Sequence, residues 1–140
     1  MLAQMAIDKF IDAENINWLW EATILGEPAS KSNQRRIVKM GGRPRLIKSK
    51  KALSYARGFG LQVQHGLQAP SIDSPIEGDV LMWCRIFYAS RRPDLDESLI
   101  MDALQAAAVI KNDRQIKAKV VLWALDRDKP RSEIKLACLS

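Results

Sequence analysis

Histidine and cysteine are nearly missing from this 140-residue chain, which holds one histidine, His65, and two cysteines, Cys84 and Cys138, with no Cys-x-x-Cys pair. A zinc site or a disulfide scaffold needs several such residues at defined spacings, so neither is expected. No apolar run approaches the roughly 18 to 20 residues of a membrane span. The opening MLAQMAIDKFIDAEN carries acidic residues where a secretory leader would hold an apolar block. A cytoplasmic protein with no membrane partner follows as the expectation. Internal repeats and low-complexity tracts are lacking as well. With 47% hydrophobic residues the chain suffices for one domain with a real core and is short for two.

Acidic residues are absent from one long stretch. Between residues 28 and 72 there is no Asp or Glu, while Lys31, Arg35, Arg36, Lys39, Arg43, Arg45, Lys48, Lys50, Lys51 and Arg57 supply ten cations. The net charge of +6 therefore conceals an asymmetry, since the rest of the chain has 12 basic against 16 acidic residues. A positive field so localised suits nucleic acid or an anionic membrane surface; the bland alternative is a solvated, solubilising loop.

Periodicity supplies the outline. Leu2, Met5, Ala6, Lys9, Phe10 and Ala13 have helical spacing, which predicts a helical extension over 1–16 ahead of a single domain over 17–140. NWLWEATIL (17–25) reads as a strand ended by Gly26-Glu27-Pro28. The basic stretch 30–47, broken by Gly41, Gly42 and Pro44, fits a β-hairpin or loop. Ser49 can cap a helix from Lys50 with Leu53, Ala56, Phe59 and Val63 as its apolar stripe, closed by His65. GDVLMWCRIFYA (78–89) reads as a strand buried on both faces, and Leu95, Leu99, Ala103, Ala106 and Ala107 predict a helix over about 95–110. A turn at Asn112-Asp113, the strand QIKAKVVLWAL and a last strand near 133–139 complete an α+β domain. Two layers are expected, a mixed β-sheet with helices packed on one face.

Chemistry concentrates in SRRPDLDES, residues 90–98. Asp94 and Glu97 can form a capping box worth ~1 kcal/mol. Asp96 is then a third carboxylate in one turn, adding repulsion that a helix dipole offsets by only ~0.3 to 1 kcal/mol. A bound divalent cation removes that repulsion. Mg²⁺ and Mn²⁺ prefer such hard oxygen ligands, and nucleases use them to generate hydroxide and neutralise charge on the scissile phosphate.

The run RRPDLDES, then DALQ, then VIKNDRQIKAK resembles the RusA family of Holliday junction resolvases, and ILGEPASKSNQRR resembles that family's strand, proline and polar-then-basic segment. The similarity extends over roughly residues 17–125. It implies a small homodimeric endonuclease, usually of phages or prophages, that nicks four-way DNA junctions with Mg²⁺ or Mn²⁺ and needs no small-molecule cofactor. Carried over by position, the metal-binding catalytic residues are Asp94, Asp96 and Asp113. The implied DNA contacts are Lys31, Asn33, Arg35, Arg36, Arg43, Arg45, Lys48, Arg91, Arg92 and Lys111. Two departures stand out: Glu97 and Ile100 occupy positions where the family has Asn and Lys, and the interval from Asp94 to Asp-Ala-Leu is two residues shorter. Lys111, Arg91 and Arg92 are candidates for the missing lysine's role.

A straight helix over 95–110 would set Asp113 more than ~20 Å from Asp94 within one chain. A composite site, with Asp113 serving the Asp94 and Asp96 of the other subunit across a two-fold axis, is the arrangement favoured here, and Ala103, Ala106 and Ala107 would allow close helix contact. Two other readings compete. Pro93-Asp94 with Glu133-Ile134-Lys135 spells a PD...ExK nuclease pattern at long spacing. Alternatively the protein is a non-catalytic DNA binder in which the aspartates only cap a helix.

Overall fold

The computed structural model describes residues 16–29, 35–66 and 73–139. The expected helical extension, Lys31 and Asn33 lie outside them, and Arg35 is described by its backbone only. The elements run β1 (Trp18–Leu25), β2 (Arg35–Met40), β3 (Arg43–Lys48), α1 (Lys50–Gln64), β4 (Val80–Tyr88), α2 (Ser98–Ala106), a 3₁₀ turn (Asp113–Gln115), β5 (Ile116–Leu125) and β6 (Arg131–Cys138). The architecture is α+β, as the sequence predicts.

Four strands make a mixed sheet in the order β1-β6-β4-β5, with β4 and β5 parallel and the other pairs antiparallel. Parallel neighbours need a crossover between them, and α2 provides it. Alternate strand residues Trp20, Ala22, Ile24, Met82, Cys84, Ile86, Tyr88, Ile134 and Leu136 join Phe59, Leu99, Ile100 and Leu104 of the helices in one core. The intervening residues Leu81, Arg85 and Phe87 of β4 stay outside that core and are half-buried. Burial on both faces of β4 is therefore complete only on one, with Trp83 alone buried on the other, where Arg85 and Lys135 each approach its ring to 5.1 Å.

Helix α1 starts where Ser49 predicts, its hydroxyl accepting a bond from the Ala52 amide at 3.2 Å, and His65 forms its C-cap. Its buried stripe is Ala52, Tyr55, Phe59 and Val63, not the one expected through Leu53 and Ala56. Leu53 is 51% exposed. Tyr55 supplies the reason: its large ring packs inward against Phe59 and turns the helix about its axis, leaving Leu53 outside.

Helix α2 is shorter than 95–110. Leu95 lies before it and exposed, because residues 93–96 are tied to strands in a non-helical path described below. At the other end Ala108 has φ +60°, a left-handed conformation that stops the helix, and Ile110 bridges to Ile76 in parallel.

Candidate functional site

Tyr88, the last residue of β4, is a bulky aromatic that fills the core and carries one polar atom, so its hydroxyl needs partners. It finds two in the acidic loop, donating to the Asp94 carbonyl and accepting from the Asp96 amide, both at 3.2 Å. The ring stacks on Trp123 of β5 with centroids 5.8 Å apart, and the Trp123 indole N–H donates to the Pro93 carbonyl at 3.1 Å. Two aromatic side chains thus hold three backbone groups of one loop, the Pro93 and Asp94 carbonyls and the Asp96 amide. Burial pushes the Tyr88 phenol up to about 12, so it stays protonated as the donor this arrangement requires.

The carboxylates have distinct surroundings. Asp94 is exposed, whereas Asp96 is buried, one of its oxygens accepting from the Ser98 amide at 3.0 Å and the Ser98 hydroxyl at 2.8 Å. The expected Asp94–Glu97 capping box does not form. Asp96 does the local capping work, and Glu97, the N-cap residue by position, makes no side-chain cap bond. Glu97 turns instead to Lys119 of β5, with Nζ and Oε1 2.6 Å apart, and the same ammonium lies 3.7 Å from the Met101 sulfur. Ile100, where the resemblance expects a lysine, is fully buried in the core. Lys119 therefore places a cation beside the first turn of α2 that residue 100 cannot supply.

Asp113 lies elsewhere. Asn112 caps its 3₁₀ turn by accepting from the Arg114 amide, Gln115 reaches back to the Asn112 amide, and the Asp113 amide donates to the Gln105 side chain at 2.9 Å. The parallel register sets Ile116 beside Val80 and Leu125 beside Tyr88. Asp113 thus sits by the start of β4 and the acidic loop is anchored at its end. Among the described residues no three or more His, Cys, Asp or Glu side chains could hold a metal ion together.

What Asp113 does share is an open cleft of about 510 Å³ with Lys48, Asp102, Gln105, Ala106, Asn112 and Arg114. Asp102 is a site residue the sequence reading passed over as part of Asp-Ala-Leu; its helical spacing to Gln105 and Ala106 was the available signal. Lys48 ends β3, so the root of the basic hairpin opens onto this cleft.

The remaining expected DNA contacts divide. Arg36, Arg43 and Arg45 stand exposed on the hairpin, and Arg91 and Arg92 are exposed just before the acidic loop. Lys111 pairs with Glu77, holding that carboxyl below its ordinary range. It is thereby already engaged. Glu133 and Lys135, the rival ExK pair, belong to β6 positions facing Arg85 and Trp83, outside the core, while the Asp94 loop is bound to core-facing Tyr88. The sheet lies between them. No protein-family model matches this chain, and no curated protein matches it significantly.

Proposed function

We propose that the chain is a RusA-like, metal-dependent endodeoxyribonuclease that nicks four-way DNA junctions as a homodimer, in recombination or repair of phage or prophage DNA. The observation carrying this reading is the cleft where Asp102 and Asp113 stand beside Lys48, at the root of an acid-free hairpin. A phosphate strand held by the hairpin would run directly past those carboxylates. The proposed dimer has two layers per subunit, helices on one sheet face. Asp94 and Asp96 of one subunit meet Asp113 of the other, and Mg²⁺ or Mn²⁺ would be held only by that joint set.

Labelled four-way, flap and linear duplex DNA incubated with Mg²⁺, Mn²⁺ or EDTA tests the activity. Paired nicks confined to the four-way junction and to the metal-containing samples are expected. Mixing tests the composite site: Asp94→Asn and Asp113→Asn proteins, each inactive alone, regain cleavage in the heterodimer. Exchanged subunits that fail to complement would place the three carboxylates in one protomer.

A second reading has its own support in Ile100, which is fully buried where the resemblance expects a lysine. It is a DNA-binding protein without nuclease activity. Binding that survives EDTA with no cleavage in any metal would establish it over the first.

A further inference from the structure

We propose that the β2–β3 hairpin is an insertion arm, whose Ile37–Leu46 pair seats against base faces exposed at a DNA branch point. The inference rests on branched DNA as the substrate, but needs binding only and no cleavage.

The hairpin register pairs Arg36 with Ile47, Ile37 with Leu46, Val38 with Arg45, Lys39 with Pro44 and Met40 with Arg43. Side chains alternate across a strand, and directly paired residues share a face. One face therefore carries Ile37, Leu46 and Pro44 with Lys39 and Lys48, and the opposite face carries Arg36, Arg43 and Arg45 with Val38, Ile47 and Met40. The Gly41-Gly42 turn, φ +61° and +77°, has the positive dihedrals that a tight two-residue hairpin turn demands. The strands form a sheet of their own, separate from the main sheet. At ~3.3 Å per residue the ribbon is about 20 Å long.

Ile37 is 73% exposed, Leu46 59% and Met40 54%. An Ile–Leu pair across two strands contributes ~0.2 to 1 kcal/mol to a hairpin, a gain that threonines, also good strand formers, would largely supply without exposing apolar surface. The apolar pair is thus poorly explained by hairpin stability. Charge narrows its occupant. No acidic residue interrupts the ribbon, and its arginine face suits phosphate, so the apolar surface fits a polyanion that also offers an apolar face; an anionic lipid surface shares that chemistry, and branched DNA is the one the proposed function favours. Stacked bases in an uninterrupted duplex hide theirs; at a branch point base-pair faces are open. Ile, Leu, Met and Pro are the side chains that wedge between base steps, and a two-stranded ribbon fits a groove of B-DNA.

The test uses full-length protein in EDTA with 2-aminopurine at the branch point or in mid-arm of a four-way junction. Wild-type protein raises fluorescence at the branch and not in mid-arm. An Ile37→Thr/Leu46→Thr double variant, which keeps strand propensity, loses that rise and binds the junction about tenfold more weakly, with the salt dependence of binding unchanged. Arg36→Gln/Arg43→Gln/Arg45→Gln instead reduces the salt dependence. The proposal is overturned if the threonine variant matches wild type in fluorescence and affinity, or if wild type binds the junction without any branch-specific rise. It is likewise overturned if the threonine variant changes the sedimentation of the free protein, which would make the pair a subunit contact. Branch opening by a protein that cuts with neither Mg²⁺ nor Mn²⁺ would defeat the nuclease reading and leave the insertion arm standing.

Discussion

The acidic loop at 89–97 and the basic hairpin at 35–48 are both polar segments joined to the same core, yet they are held in opposite ways. The loop is tied by side chains from outside itself: Tyr88 and Trp123 grip Pro93, Asp94 and Asp96, and Glu27 accepts from the Ala89 amide at 3.0 Å. The hairpin is organised by its own ladder. A group that must meet a reacting phosphate benefits from fixed geometry. A group that must follow a bent or branched backbone does not, and phosphate attraction tolerates small displacements.

The largest test of this contrast is to strip charge from the fixed segment. Asp94→Asn and Asp96→Asn should each abolish cleavage while junction binding is kept or strengthened, because negative charge near phosphate is removed together with the metal-binding oxygen. Asparagine keeps an acceptor for the Ser98 amide, so melting temperature should hardly move. Normal cutting by either variant sinks the site assignment.

Next in size is the tether. Tyr88→Phe removes the hydroxyl that satisfies the buried Asp96 amide, at a cost of about 1 to 3 kcal/mol if no water replaces it. Calorimetry should show the loss, and cleavage should fall more than junction affinity. Equal losses in both would mean that the loop's placement serves binding rather than chemistry.

On the hairpin the arginines should act singly and additively. Each Arg→Gln change at Arg36, Arg43 or Arg45 should lower the slope of log K against log salt by about one, without altering melting. A constant slope across the series makes the hairpin ordinary solvated surface.

The smallest effect concerns pH at the β5–β6 turn. Hydrogen bonding from Arg131 holds the Asp126 carboxyl below its ordinary value, helped by the Lys129 and Asp128 amides. Its contribution to stability is present above the unfolded-state Asp value and lost as pH falls through the depressed folded value. Asp126→Asn should slightly flatten the acid limb of the unfolding curve and leave both segments' functions intact.

Local signals made the strands and the cap of α1 legible: β-rich runs between turn residues, and Ser49 ahead of an apolar stripe. The error at α2 has a definite origin. Leu95 and Leu99 keep helical spacing, but residues 93–96 are claimed by Tyr88 and Trp123, the latter 30 positions distant from Pro93. Nothing in a window around Asp94 records that claim. The sequence did signal, through the helix between them, that Asp113 stands apart from Asp94 and Asp96 within one chain; it did not reveal that β4 and β5 run parallel. Lys119 and Asp102 were missed for the same reason: each matters through a neighbour brought close by the crossover.

Strand order carries a kinetic consequence. β6 lies between β1 and β4, so the first and third members of the main sheet have no contact through the ladder until residues 131–138 arrive. Pairing across more than a hundred positions closes a long loop before it gains any ladder bond, which slows folding. On the ribosome, β4, α2 and β5 can form their parallel unit first, leaving β1 and the far edge of β4 exposed until synthesis passes Cys138. A nascent chain stalled before Arg131 should therefore be the species that chaperones hold and proteases cut, whatever the stability of the finished domain.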